Sequence, residues 1–343
     1  MGLTSNNQTQ NRTDMKLGLT LIWLLIIFTV QGQNHLIVED LELERTPDKS
    51  LIYKAFRGEV DLSLSAIGVS RVNLETGAGH VNIRQSKDRV MRVEAEIVVA
   101  AKSANSAYRA IDEGLQLALT KEGEEIFFVS MFDSDNQNLD HSFDFFRAPA
   151  RKVNLEIFVP SDLDIKLNDR SGELSIKEVN NNLDITDTSG GILIQDVVGD
   201  LNLIDHSGEV NIQNVNENVE GDPVINITDH SGGLSLYNLT GKTRVVDYSG
   251  GLFIDYLVGE LDVEDNSGSI EINEVKGAIT IDDASGGIVV TNTEGSIEVS
   301  DTSGGIYINQ VSEDVYVRED GSGGLSVKNV EGGVGGRTRR LRN

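Results

Sequence analysis

Apolar and polar positions follow a fixed beat through the second half of the chain. Counting from the apolar residue that follows Ser-Gly-x, apolar side chains recur at offsets 0, 2, 5, 9 and 11. One turn places Ile192, Ile194, Val197, Leu201 and Leu203 there; another places Ile270, Ile272, Val275, Ile279 and Ile281. Residues two apart on a strand share a face. Each turn therefore predicts two short strands, with one corner near offset 5 and another at the Ser-Gly. A Gly near offset 7, as in Gly199, Gly259 and Gly277, supplies the bend before the second strand. The serines of the phrase are Ser171, Ser189, Ser207, Ser231, Ser249, Ser267, Ser285, Ser303 and Ser322, at spacings of 18, 18, 24, 18, 18, 18, 18 and 19. One such turn cannot bury its own apolar face, whereas stacked turns cover one another. The pattern predicts an all-β fold, a parallel β-solenoid (β-helix) of 18-residue turns over residues 161–331. The spacing of 24 predicts an outward loop near residues 217–223, with Ile225 and Ile227 kept in the stack.

Residues 37–160 lack this beat yet still alternate. Strands are expected at 50–56, 60–64, 69–74, 80–83 and 90–99. The segment Gly77-Ala-Gly-His-Val-Asn-Ile83 reads as a degenerate copy of the Ser-Gly phrase. One short helix is predicted from about Ser103 to Glu113, with Ala107, Tyr108, Ile111 and Leu115 on one face. Residues 115–119 and 126–132, joined at Lys121-Glu-Gly-Glu124, predict a hairpin, and 133–141 a polar loop. A solenoid exposes apolar residues at its first rung, so this β-rich region is read as its cap, with Phe143, Phe145 and Phe146 in it.

Residues 17–30 are almost wholly apolar, follow Lys16, and are too short for a membrane span. With Val30-Gln31-Gly32 behind them they predict a signal peptide over residues 1–32, hence an exported protein of the periplasm, outer surface or medium. No membrane span is expected after its removal. The 343-residue chain carries 29 basic and 55 acidic residues, a formal net charge of −26. Such a charge repels nucleic acid and keeps a repetitive β protein soluble. With no cysteine, disulfides and thiolate metal sites are excluded. Residues 332–343 are glycine-rich, then basic, and are expected to form a disordered tail.

Stacking would align Asp169, Asp187, Asp205, Asp229, Asp247, Asp265, Asp283, Asp301 and Asp320 in a column. Two readings arise. Carboxylates are hard oxygen ligands, so the column could bind calcium. Alternatively each Asp accepts from amides two and three residues on and locks the corner. The calcium-binding nonapeptide repeat places Gly-x-Asp in each nine-residue half; here one Asp comes per 18 residues, which favours the lock. Structural turn residues are then Asp187, Ser189 and Gly190, or Asp283, Ser285 and Gly286. His206 and His230 share one slot in adjacent turns beside Asp205 and Asp229, so these four are the candidates for a metal or acid–base site. The same slot holds Arg170, Thr188, Asn266, Ala284 and Thr302, the signature of a permissive exposed corner. Tyr237, Tyr248, Phe253 and Tyr256 lie at outward or corner positions and could stack on sugars. No catalytic residue and no cofactor is assigned.

The run Val153-Asn-Leu-Glu-Ile-Phe-Val-Pro-Ser-Asp-Leu-Asp-Ile165, followed by Ser-Gly-x-apolar-x-apolar turns, resembles the adhesin-like β-repeat family of bacteria, a domain of unknown function. The likeness covers about residues 50–330. It implies a β-solenoid in an exported or envelope protein and brings no assigned functional residues. The expectation is a non-enzymatic envelope protein that binds a protein or glycan partner or acts as a scaffold. A polysaccharide-acting β-helix enzyme and a calcium-stabilised rod are the alternatives.

Overall fold

The computed structural model describes residues 33–35, 43–46, 54–133 and 151–337, less 218 and 220. The expected signal peptide, the Phe143–Phe146 cluster, most of the 133–141 loop and residues 338–343 of the tail lie outside the described residues.

The chain is a parallel β-solenoid of about nine turns, as the 18-residue beat requires. Each turn contributes one strand to each of two sheets. In the first sheet Leu183–Asp187 pairs in parallel with Leu201–Asp205, and so on through Val315–Asp320 to Val334–Gly336, so residues 334–336 of the expected disordered tail are instead a last paired strand. In the second sheet Gly190–Val198 pairs with Gly208–Val215, and the ladder runs to Leu325–Val330. Equivalent residues stack without drift, Ile192 on Val210 and Ile194 on Ile212. The 24-residue turn keeps register too: Leu201 faces Ile225 and Leu203 faces Ile227. The 19-residue turn absorbs its extra residue as a shift between Val299 and Ser300 against Val317 and Glu319. Offsets 0, 2, 5, 9 and 11 point inward, and one continuous apolar core runs from Phe56 to Val317.

Two glycine columns make the corners possible. In the Ser-Gly phrase, Gly268 has φ 159°, and a Cβ there would lie 1.7 Å from the carbonyl oxygen of Gly250 on the rung below. At offset 7, Gly277 has φ 155°, and its Cβ would meet the Gly259 oxygen at 2.0 Å. In the Ser-Gly column every rung therefore carries Gly, whereas the offset-7 corner also admits Asn181, Pro223 and Glu313. A third bend falls at offset 4, where Asp196, Asn214, Tyr256, Glu274 and Asn292 take left-handed backbone at φ between 54 and 61°, or 53° for Glu274. Each second-sheet strand therefore folds over a shoulder into a short third face.

The degenerate phrase is a true turn. Arg71–Ala78 and Val81–Gln85 pair in parallel with the two halves of Asp164–Asn180. On the opposite side the same turn pairs with Glu125–Phe132 and Arg151–Val159, again in parallel. Residues 71–85 thus sit between segments that both come later in the chain. Antiparallel strands close this end: Leu115–Glu122 on one sheet, and Val90–Ala101 with Lys54–Ser65 on the other. The two expected strands 50–56 and 60–64 are one continuous strand, Lys54–Ser65, as far as they are described. The helix is Ala104–Gly114, with Ser103 as its N-cap accepting from the Ser106 amide. It buries Ala107 and Ile111 against the cap, while Tyr108 is half-buried and its hydroxyl accepts from the Leu43 amide.

Candidate functional site

The aspartates do stack in register, and they stack inward. Asp is the last residue of each first-sheet strand, two beyond an inward apolar residue, so strand alternation turns its side chain to the core. From Asp169 to Asp301 the eight are at most 4% exposed. One oxygen takes the Ser amide that the turn reading expects, but the Gly amide three residues on does not reach it and donates to the Ser carbonyl of the next rung, as Gly286 does to Ser303 at 3.0 Å. Oδ1 of Asp283 accepts from the Ser285 amide at 2.9 Å, and Asp205, Asp229, Asp247, Asp265 and Asp301 do the same with Ser207, Ser231, Ser249, Ser267 and Ser303 at 2.8–3.3 Å. The other oxygen, Oδ2, is buried with no partner in each of these rungs.

Asp187 departs from this rule. Its amide-acceptor bond to Ser189 is missing and neither oxygen receives a donor, although Gly190 keeps its left-handed φ of 142° and Ser189 Oγ donates to the Arg170 carbonyl. Thr76 of the first turn donates to Asp169 instead. Burial, then the carboxylates of Asp169 and Asp205, push Asp187 up to about 7. Burial and the flanking Asp265 and Asp229 likewise raise Asp247 to about 7. Asp229 and Asp283 are raised to about 6, and Asp169, Asp205, Asp265 and Asp301 are raised, in each case chiefly by burial. Asp187 and Asp247 are therefore partly protonated near neutral pH. A protonated Asp187 has Asp169 as its acceptor.

His206 and His230 do come together. Their rings stack at 4.7 Å and 5°, and Tyr248 continues the stack at 4.9 Å. Each Nδ1 lies 3.0 Å from a main-chain carbonyl, of Asp187 and Asp205 respectively, so Nδ1 carries the proton. Parallel stacking points the two Nε2 lone pairs side by side rather than toward one ion. Among the described residues no three His, Asp or Glu groups converge as a metal requires.

The short third face carries a feature that offset counting does not disclose. A trough of about 730 Å³ runs parallel to the solenoid axis there. Offset-4 side chains form one wall, from Tyr256 through Glu274, Asn292 and Gln310 to Asn329. Offset-6 side chains form the other, namely Lys276, Glu294, Ser312 and Glu331. Between them lies the main chain of Val275, Thr293 and Val311. The sequence signal along the trough was that offsets 4 and 6 are both polar at the expected corner in each of the last four turns.

The model of the Toastrack DUF4097 family matches residues 69–332. The chain belongs to that family. The match begins at the degenerate first turn, so it takes in the repeats and the cap strands from Arg71 onward but not Lys54–Ser65. Among solved structures this Toastrack chain is similar to a candidate cell adhesion protein of Clostridium sporogenes, at 10% identity and a TM-score of 0.30, covering 82% of this chain and 100% of that one. It is similar to a candidate adhesin of Parabacteroides merdae at 11% identity and a TM-score of 0.28, covering 82% and 96%. A candidate lipid binding protein of Parabacteroides distasonis is similar at 12% identity and a TM-score of 0.27, covering 82% and 97%. No curated protein matches the chain.

Proposed function

We propose that this Toastrack chain is a non-enzymatic, adhesin-like binding protein of the cell envelope, exported through its apolar leader. The observation that carries the reading is the trough: an open groove of mixed polar and apolar lining on a rigid ladder, with each of its rungs contributing equivalent wall positions. Rigid placement lowers the ordering cost of binding. The leader at residues 17–30 supports export, and the net charge of −26 argues against nucleic acid as partner. Among the described residues no helix is long and apolar enough to cross a membrane. The aspartate column supports the rod rather than a site, because its carboxylates are buried in the core; calcium would need six to eight oxygens about it.

A glycan-array screen with detection of reaction products tests the reading. Retention of glycan without turnover is expected, unchanged by alanine at His206 and His230. Turnover lost in those variants would replace the reading with a polysaccharide-acting enzyme, and loss of binding on calcium removal with a calcium-dependent rod.

A further inference from the structure

We propose that the trough on the third face takes an uncharged glycan chain laid along the solenoid axis. This rests on the binding reading above and adds the place and the ligand class.

The walls repeat with the rungs, at about 4.8 Å per rung, so the five rungs from Tyr256 to Asn329 span about 19 Å. A polymer of identical units is the ligand that meets such a repeated row in register. The wall amides are already oriented by an outer ladder of side chains. Asn292 donates Nδ2 to Asn273 at 2.7 Å, and Asn329 donates Nδ2 to Asn309 at 2.8 Å. Gln310 accepts from Asn309 at 3.2 Å. The remaining polar atoms of these wall residues are therefore two amide oxygens and one amide NH₂, acceptors and donors in one row. Sugar hydroxyls act as both donor and acceptor and can use such a row. Tyr256 stands at one end of it, 42% exposed, and offers an aromatic face to sugar C–H groups.

The same geometry disfavours a peptide. The main chain between the walls is already spent in the ladder: Ser312 donates to the Thr293 carbonyl at 3.0 Å and Glu331 to the Val311 carbonyl at 2.9 Å. A peptide would find no free backbone row to augment. Charge narrows the class further. Glu274, Glu294 and Glu331 face a single cation, Lys276, which already pairs with Glu294 at 3.4 Å. An anionic chain is repelled.

The test titrates the full protein with cellohexaose, chitohexaose and mannohexaose, with an oligoguluronate as the anionic arm and a heptapeptide library as the peptide arm. At least one uncharged hexasaccharide is expected to bind, more tightly than its dimer. Tyr256→Asn and Gln310→Gly remove wall groups while suiting the left-handed backbone at these positions, φ 61 and 60°. Each should weaken binding by about tenfold with the melting temperature unchanged. Tyr237→Ser, on the broad second-sheet face, should leave affinity as it was. Glycan binding that survives both trough variants overturns the trough while the binding reading stands. Oligoguluronate or peptide bound in place of the neutral sugars overturns the ligand class. No binding by any probe overturns both proposals.

Discussion

At the scale of single residues, the aspartate column decides how the protein responds to pH. An unfolded Asp titrates near 3.9. In the folded chain Asp187 and Asp247 titrate near 7, and Asp229 and Asp283 near 6. Folded pKa values above the unfolded one mean that the native state binds more protons between those limits, so stability is lost as pH rises through them. The midpoint of thermal unfolding should therefore fall between pH 4 and pH 8. Relief of surface repulsion at low pH has the same sign, so a variant must separate the two. Asp247→Asn keeps the acceptor that holds Ser249 and removes one buried charge. It should raise stability at pH 8 by roughly 1–3 kcal/mol, given ~1.4 kcal/mol per tenfold change in proton affinity, and leave pH 4 almost unchanged. Calorimetry across that range checks both; a melting temperature that climbs with pH would refute the column's role. The inward direction was legible in the sequence, since Asp stands at offset 13 and continues the inward series 9, 11. What the sequence withheld was the missing lock at Asp187 and the Thr76 hydroxyl of a distant turn donating to Asp169.

At the scale of the strand and its corners, glycine sets the limits. Two glycines stand side by side in many Ser-Gly-Gly phrases, and they do different things. Gly286 follows the first column: its Cβ would lie 1.6 Å from the Gly268 oxygen. Gly287 points outward, and a Cβ there meets nothing within 4 Å. Gly286→Ala should cost more than about 3 kcal/mol, the range of a forced backbone shift in a packed element. Gly287→Ala should change stability by no more than about 0.5 kcal/mol. Chemical denaturation of the pair measures the difference, and equal effects would show that rungs can part at this corner. The strand positions themselves followed from alternation, because inward residues at offsets 0 and 2 or 9 and 11 leave one register. The corner expected near offset 5 lies at offset 4, but its left-handed backbone was not legible, because the bend is built from Asp, Asn, Glu, Tyr and Gln alike. Left-handed backbone there is imposed by the stack on whatever residue occupies the slot, so composition gives no sign of it.

At the scale of the whole molecule, the cap and the rod are one structure. Arg71–Gln85 is covered on one side by Glu125–Phe132 and Arg151–Val159 and on the other by Asp164–Asn180. A chain begun at Ser161 would present the apolar and hydrogen-bonding edge of Asp164–Asn180 bare. Such a chain should self-associate, which light scattering after size exclusion reads directly; a monodisperse monomer would mean that the first rung tolerates exposure. The order of rungs along the axis also differs from the order in which they leave the ribosome. The turn at residues 71–85 is made early, yet both of its neighbours are made later, the last of them ending at Asn180. Until then its two edges are open. Every turn after Asn180 has a finished edge to add to. Folding that runs from the N-terminal end would meet its long-range step once, near the start, and then lengthen the rod turn by turn toward the C-terminus.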